Sequence, residues 1–119
     1  MASYYNTDAK NALLGGLSIT RLSLHTGNPG ATGVDNEYTG TGYARATVTF
    51  ATAADGERKL TAHAIFQGDP DDEVSWVGYW VGTSFRGAGE LLGETTFDSD
   101  TGILVLLASD TLYGIEACA

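Results

Sequence analysis

After residue 16, every apolar run in this chain is short and stops at a turn signal. The runs alternate with a period of two, the spacing that puts successive side chains on opposite faces of a strand. Sixteen glycines against two prolines supply tight turns rather than stiff linkers. Seven to eight short strands punctuated this way predict an all-β fold, an antiparallel β-sandwich of jelly-roll type. The one helical candidate precedes them: Asp8 as N-cap, residues 9–14 as two turns, and Gly15–Gly16 as the stop. Two turns are marginal in water, so such a helix needs a surface to pack on. The chain divides into an N-terminal arm with a short helix, residues 1–16, and a β-sandwich domain, residues 17–119.

Individual strands follow from the pattern. Residues 17–25 carry Leu17, Ile19, Leu22 and Leu24, with room for a bulge near Arg21. Residues 43–50 alternate most cleanly, with Ala44, Ala46, Val48 and Phe50 on one face and Arg45, Thr47 and Thr49 on the other. Residues 60–66 repeat the pattern with Leu60, Ala62, Ala64 and Phe66. Residues 74–81 are apolar on both faces, which predicts a central strand. Residues 84–89 read as a turn, 90–97 as a strand, 98–102 as a turn, and 103–107 and 111–117 as the last two strands. Residues 26–42 form a long glycine-rich segment, and loops of that length are often functional.

Fifteen acids against six bases give a net charge of −9, which disfavours a nucleic-acid partner because phosphate binding needs clustered Lys and Arg. The charge reads first as a soluble surface and second as a face for a basic partner. A single cysteine, Cys118, forms no internal disulfide, so nothing argues for an oxidising compartment. No apolar stretch reaches the roughly 20 residues of a membrane span, and residues 1–5 lack a signal-peptide pattern. Synthesis in a cytoplasm and no membrane partner are expected.

Chemistry is poorly provided for. The two histidines, His25 and His63, come with no Gly-x-Ser-x-Gly elbow, so no base–nucleophile set is expected. The acidic run Asp69, Asp71, Asp72 and Glu73 reads as a solvated loop rather than a paired-carboxylate site. Residues 98–102 resemble the start of a calcium loop, but the twelfth position is Ser109 instead of a bidentate Glu. The glycines near 40 and 87 open no helix and precede no Lys-Ser/Thr pair, so they are turn glycines. No enzyme, cofactor or metal is expected. Trp76 and Trp80 share one face of their strand and Tyr79 takes the other. The group reads as core packing ahead of a docking surface. Tyr4, Tyr5, Leu13 and Leu14 on the arm are better candidates for contacts with another chain.

The segment LSLHTGNPGATG at 22–33, followed by Asn36 and Glu37 and then GYAR at 42–45, resembles small bacteriophage virion proteins. These are labelled tail-fibre-like, minor tail or minor capsid (decoration) proteins. VSWVGYW at 74–80, GELLGET at 89–95 and ASDTL at 108–112 follow in matching order, so the resemblance covers roughly residues 12–115. It implies a compact β-sandwich used as a non-enzymatic virion part and repeated by symmetry. It also implies a structural role for the stretch containing His25, Gly27, Pro29, Gly30, Gly33, Glu37, Tyr43 and Arg45. In physical terms the glycines permit turns, Pro29 fixes one φ, and Arg45 is placed to pair with Glu37.

The first functional reading is a minor capsid or decoration protein that stabilises the shell as a symmetric oligomer, with a trimer as the candidate state. The alternative is a minor tail or tail-fibre-like protein acting in tail assembly or host adhesion. Either way the expected partners are other virion proteins, major capsid or tail, and the expected location is the virion.

Overall fold

A computed structural model describes residues 8, 18–52, 54, 57–91, 95–106 and 112–114. Eight strands follow one another along the chain: β1 (Arg21–His25), β2 (Ala46–Thr47), β3 (Glu57–Lys59), β4 (Ala64–Gln67), β5 (Trp76–Val81), β6 (Ser84–Glu90), β7 (Ile103–Leu106) and β8 (Leu112–Gly114). Every pairing is antiparallel. The all-β class read from the alternation is therefore correct. The ladders form one four-stranded sheet, β2-β1-β5-β6, and two two-stranded ones, β3-β8 and β4-β7. These ladders do not by themselves draw the two sheets of a jelly roll. The N-terminal helix and the contact candidates Tyr4, Tyr5, Leu13 and Leu14 lie outside the described residues.

One core joins the ladders. Leu22 and Leu24 of β1, Val77 of β5, Ala64 and Phe66 of β4, and Leu104 and Leu106 of β7 belong to a single buried cluster. β5 is central, as its two-sided apolarity requires, flanked by β1 and β6. β1 is covered on both faces as well: Leu22, Ser23, Leu24 and His25 are all buried. The alternation of β1 predicts only one apolar face, so something other than the core must cover the second.

Several strands differ from the sequence reading: β3 (Glu57–Lys59) forms where no strand was read, the strand read at 60–66 is observed at Ala64–Gln67, and three segments differ more deeply. Residues 84–89 are a strand rather than a turn. A two-residue loop at Gly82 and Thr83 folds β6 back onto β5, which pairs Tyr79 with Gly87 and Val77 with Gly89. Glycine reads as turn chemistry in a sequence, but here it sits on an edge strand opposite large side chains. The Tyr79 ring fills the space over Gly89, whose Cβ would lie 3.4 Å from the Tyr79 hydroxyl. Residues 90–97 are accordingly not one strand. Residues 95–97 instead pair with 72–74, through a bridge at Glu73–Thr96 and bonds from Val74 N to Thr95 O and Phe97 N to Asp72 O. The expected strand 43–50 shrinks to β2 plus a bridge between Phe50 and Leu60. Its first residues leave the sheet because Tyr43 and Arg45 are spent on side-chain contacts with the long loop.

Candidate functional site

The long loop supplies the missing cover on β1. Residue 37 bridges back to His25, and bonds from Thr26 N to Asn36 O and Tyr38 N to Leu24 O close the loop at its base. Between those points the chain folds over the second face of the four-stranded sheet. Pro29 and Gly33 are buried beneath it. Gly33 has φ +79°, a conformation that L side chains resist, and a Cβ there would run into the Phe85 ring. Gly30, at φ +74°, faces the Asp35 carboxylate in the same way. Gly27 lies against the Asn36 side chain, where a Cβ would come within 3.0 Å. The Asn36 amide in turn donates to Asn28 O at 3.1 Å.

Under this roof lies a closed chain of hydrogen bonds. Trp80 Nε1 lies 2.8 Å from Ser23 Oγ, Ser23 Oγ lies 2.7 Å from His25 Nε2, and His25 Nδ1 lies 2.9 Å from the Asp35 carbonyl. Chemistry fixes every donor. An indole N–H only donates and a carbonyl only accepts. Nδ1 therefore carries the imidazole proton and donates to Asp35, Nε2 accepts from the Ser23 hydroxyl, and that hydroxyl accepts from Trp80. The ring is neutral with the proton on Nδ1. Burial pushes the His25 pKa below 6.5, outweighing the Asp35 bond and the Glu37 charge that pull it up. Gly78 makes the convergence possible, because a Cβ there would strike Ser23 Oγ and sit 3.0 Å from His25 Nε2.

Ser23 and His25 are thus a base–nucleophile pair by distance, which the sequence reading did not anticipate. Both residues have 0% exposure, and the Ser23 oxygen already accepts the Trp80 indole proton. A reacting carbonyl needs an open approach to the nucleophile. His63, the other histidine, is exposed. Among the described residues no three His, Cys, Asp or Glu side chains are grouped to hold a metal ion.

A second, charged layer locks the roof at its edge. Arg45 Nε and Nη2 donate to Glu37 Oε2 and Oε1 at 2.9 and 2.8 Å, a bidentate pair. The Arg45 guanidinium also lies 3.7 Å from the centroid of the Trp80 ring. Tyr43 OH donates to Glu37 at 2.8 Å and accepts the Leu24 amide proton at 3.0 Å. That amide belongs to β1 where the neighbouring chain leaves the sheet, so a side-chain hydroxyl replaces the missing backbone partner. Burial alone raises the Glu37 carboxyl, but its bonds from Arg45 and Tyr43 prevail and hold it below the ordinary range. Burial, together with the Glu37 charge, pushes the Tyr43 hydroxyl far up.

The structure therefore gathers His25, Gly27, Pro29, Gly30, Gly33, Glu37, Tyr43 and Arg45 into one loop–sheet unit. Sequence reasoning missed Ser23, Asp35, Gly78, Trp80 and Phe85. Trp80 had a usable signal: it shares a strand face with Gly78 in the middle of a central strand, an arrangement that leaves room for a polar partner.

The acidic run 69–73 is partly structural too. Tyr38 OH donates to Asp72 Oδ2 at 2.7 Å and accepts the Asp69 amide at 2.9 Å, and Asp69 accepts the Thr41 amide at 3.2 Å. Beside it a surface groove of about 560 Å³ has Phe97, Ile103 and Val105 among its lining residues, with Asp71 and Asp98 also on its walls.

The described residues form a fully antiparallel β module whose buried side-chain polar groups are satisfied internally. The chain matches the family of podophage GP4 fiber I protein gp80 over residues 1–105, and it belongs to that family. No curated protein and no solved structure matched it. Membership makes the chain a virion structural protein that works with other virion proteins. It also backs the tail-fibre alternative over the capsid-decoration reading put first on sequence grounds.

Proposed function

We propose that this chain is a non-enzymatic component of a podophage tail fibre, held in place by contacts with other tail proteins. The observation that carries this is the match to a fibre family across residues 1–105. The sealed Ser23–His25 pair supports the non-enzymatic part, since its two reactive atoms face each other and Trp80 rather than a cleft. Rigid loop anchoring by Arg45 and Glu37 fits a part that transmits contacts rather than one that turns over substrate. Separation of particles into heads and tails, followed by mass spectrometry of each fraction, tests the assignment. The chain is expected in the tail fraction. Recovery in heads alone would overturn the fibre reading in favour of a capsid-bound one.

A further inference from the structure

The ladder of β4 and β7 is apolar on both faces. Ala64, Phe66, Leu104 and Leu106 belong to the core. The alternate residues Ile65, Ile103 and Val105 take the outer face, where Ile65 lies directly opposite Val105. Ile65 is 64% exposed and Ile103 38%. Strands that are apolar on both faces are ordinarily covered on both. The outer face of this ladder instead borders the groove of about 560 Å³, which Ile103, Val105 and Phe97 help to line. That volume suits a few side chains rather than a single water. The charge of the groove has one sign. Asp71 and Asp98 stand on its walls, and among the described residues neither is in an ion pair. Arg86 is the single Lys or Arg between residues 60 and 106, against eight acids in the same stretch. Both walls are tied down: Asp71 N donates to Phe97 O and Asp98 N to Ile103 O, each at 3.0 Å.

We infer that this groove takes an extended segment of another virion protein, one in which an apolar side chain is flanked by Lys or Arg. The apolar side chain removes from water the surface that Ile103 and Val105 leave open. The cations meet Asp71 and Asp98, to which this chain offers no counter-charge. Charge also decides against the other occupants. Nucleic acid and anionic lipid carry the same sign as the walls and are repelled. A second copy of the chain brings a net charge of −9 to a wall of like sign. A cationic segment is instead drawn in, since complementary charge steers the encounter and selects the partner. The inference uses only the fact that the chain works beside other virion proteins. It therefore holds at a fibre or at a capsid position, and its test separates from that of the fibre reading.

Nuclear magnetic resonance titration of the whole chain, labelled with nitrogen-15, tests it with three capped peptides. These are Lys-Leu-Val-Leu-Lys, its charge-reversed form Glu-Leu-Val-Leu-Glu, and its polar form Lys-Ser-Ser-Ser-Lys. The first should bind saturably at low salt with a Kd below about 1 mM, shifting the amides of Phe97, Ile103 and Val105. The other two should each bind at least about tenfold more weakly. Asp71→Asn/Asp98→Asn keeps both side-chain shapes, including the Oδ1 of residue 98 that accepts the Asp100 amide at 2.9 Å, and should weaken the first peptide about fivefold. Ile103→Ser, at an exposed site outside the core, should weaken it about tenfold while circular dichroism shows the fold intact. Absence of any shift at the groove, equal binding of the three peptides, or indifference to both variants would each overturn the inference. So would the same amides shifting with protein concentration alone, which would give the groove to a second copy.

Discussion

Replacing Ser23 by alanine is the sharpest probe of the buried chain beneath the loop. The substitution is sterically mild, since it deletes one oxygen and disturbs no backbone. It strands two groups, however. Trp80 Nε1–H loses its acceptor at 2.8 Å and His25 Nε2 loses its donor at 2.7 Å. Trp80 is 3% exposed and His25 0%, so bulk water reaches neither group freely. The space left by one oxygen falls short of the room a bound water needs. Each orphaned buried group costs about 1–3 kcal/mol, so the pair predicts a loss of about 2–6 kcal/mol. That is a large part of the roughly 5–15 kcal/mol that holds a domain folded. At about 4 °C per kcal/mol for a chain of this size, Tm should fall by about 8–24 °C. Urea unfolding followed by tryptophan fluorescence and by far-UV circular dichroism gives the number. Trp80→Phe removes one of the two orphans, so Ser23→Ala/Trp80→Phe should cost less than the sum of the single changes. A Ser23→Ala loss below about 0.5 kcal/mol would refute the argument that desolvated polar groups govern this face.

Three further expectations come from the same unit. Gly33→Ala forces an L residue to φ +79° and drives its Cβ into Phe85, so it should destabilise by about 2–4 kcal/mol, and Phe85→Ala should recover the steric part when both are combined in denaturant titrations. Arg45→Lys keeps the charge but loses the bidentate bond to Glu37 and the flat stack on Trp80, so about 1–3 kcal/mol should disappear, and a double-mutant cycle with Glu37→Gln should show coupling between the two sites. Acid should unfold the module in two stages. His25 has a folded pKa below 6.5, so the unfolded chain binds its proton first; the stability this group contributes is complete above pH 6.5 and declines below it. Glu37 has a folded pKa below 4.5, so its contribution persists above pH 4.5 and is lost as pH falls through the lower folded value. Glu37→Gln should remove the second stage and leave the first, as read from stability against pH.

How much of this was legible in the sequence depended on how local the cause was. The strands of the core were legible because Leu22 and Leu24, or Ala64 and Phe66, alternate within a few residues. The centrality of β5 was legible because both its faces are apolar. The Arg45–Glu37 pair was legible since the two lie eight residues apart around one loop. β6 was misread because glycine has two uses, turns and close edge pairing, and only the partner strand decides between them. The burial of Ser23 and His25 was invisible because the cover comes from a loop fold and from Trp80, 57 residues away. A hydroxyl and an imidazole beside two leucines look like the wet side of a strand until something is laid over them.

β1 is the strand where these layers meet. It is bonded along one edge to β5 and along the other to β2, Tyr38 and the Tyr43 hydroxyl, with the core below and the loop above. No small fluctuation frees such a strand, since opening either face means separating both layers. Its amide protons should therefore trade for deuterium only when the whole module opens. The Leu22 and Leu24 amides then act as a clock for global unfolding.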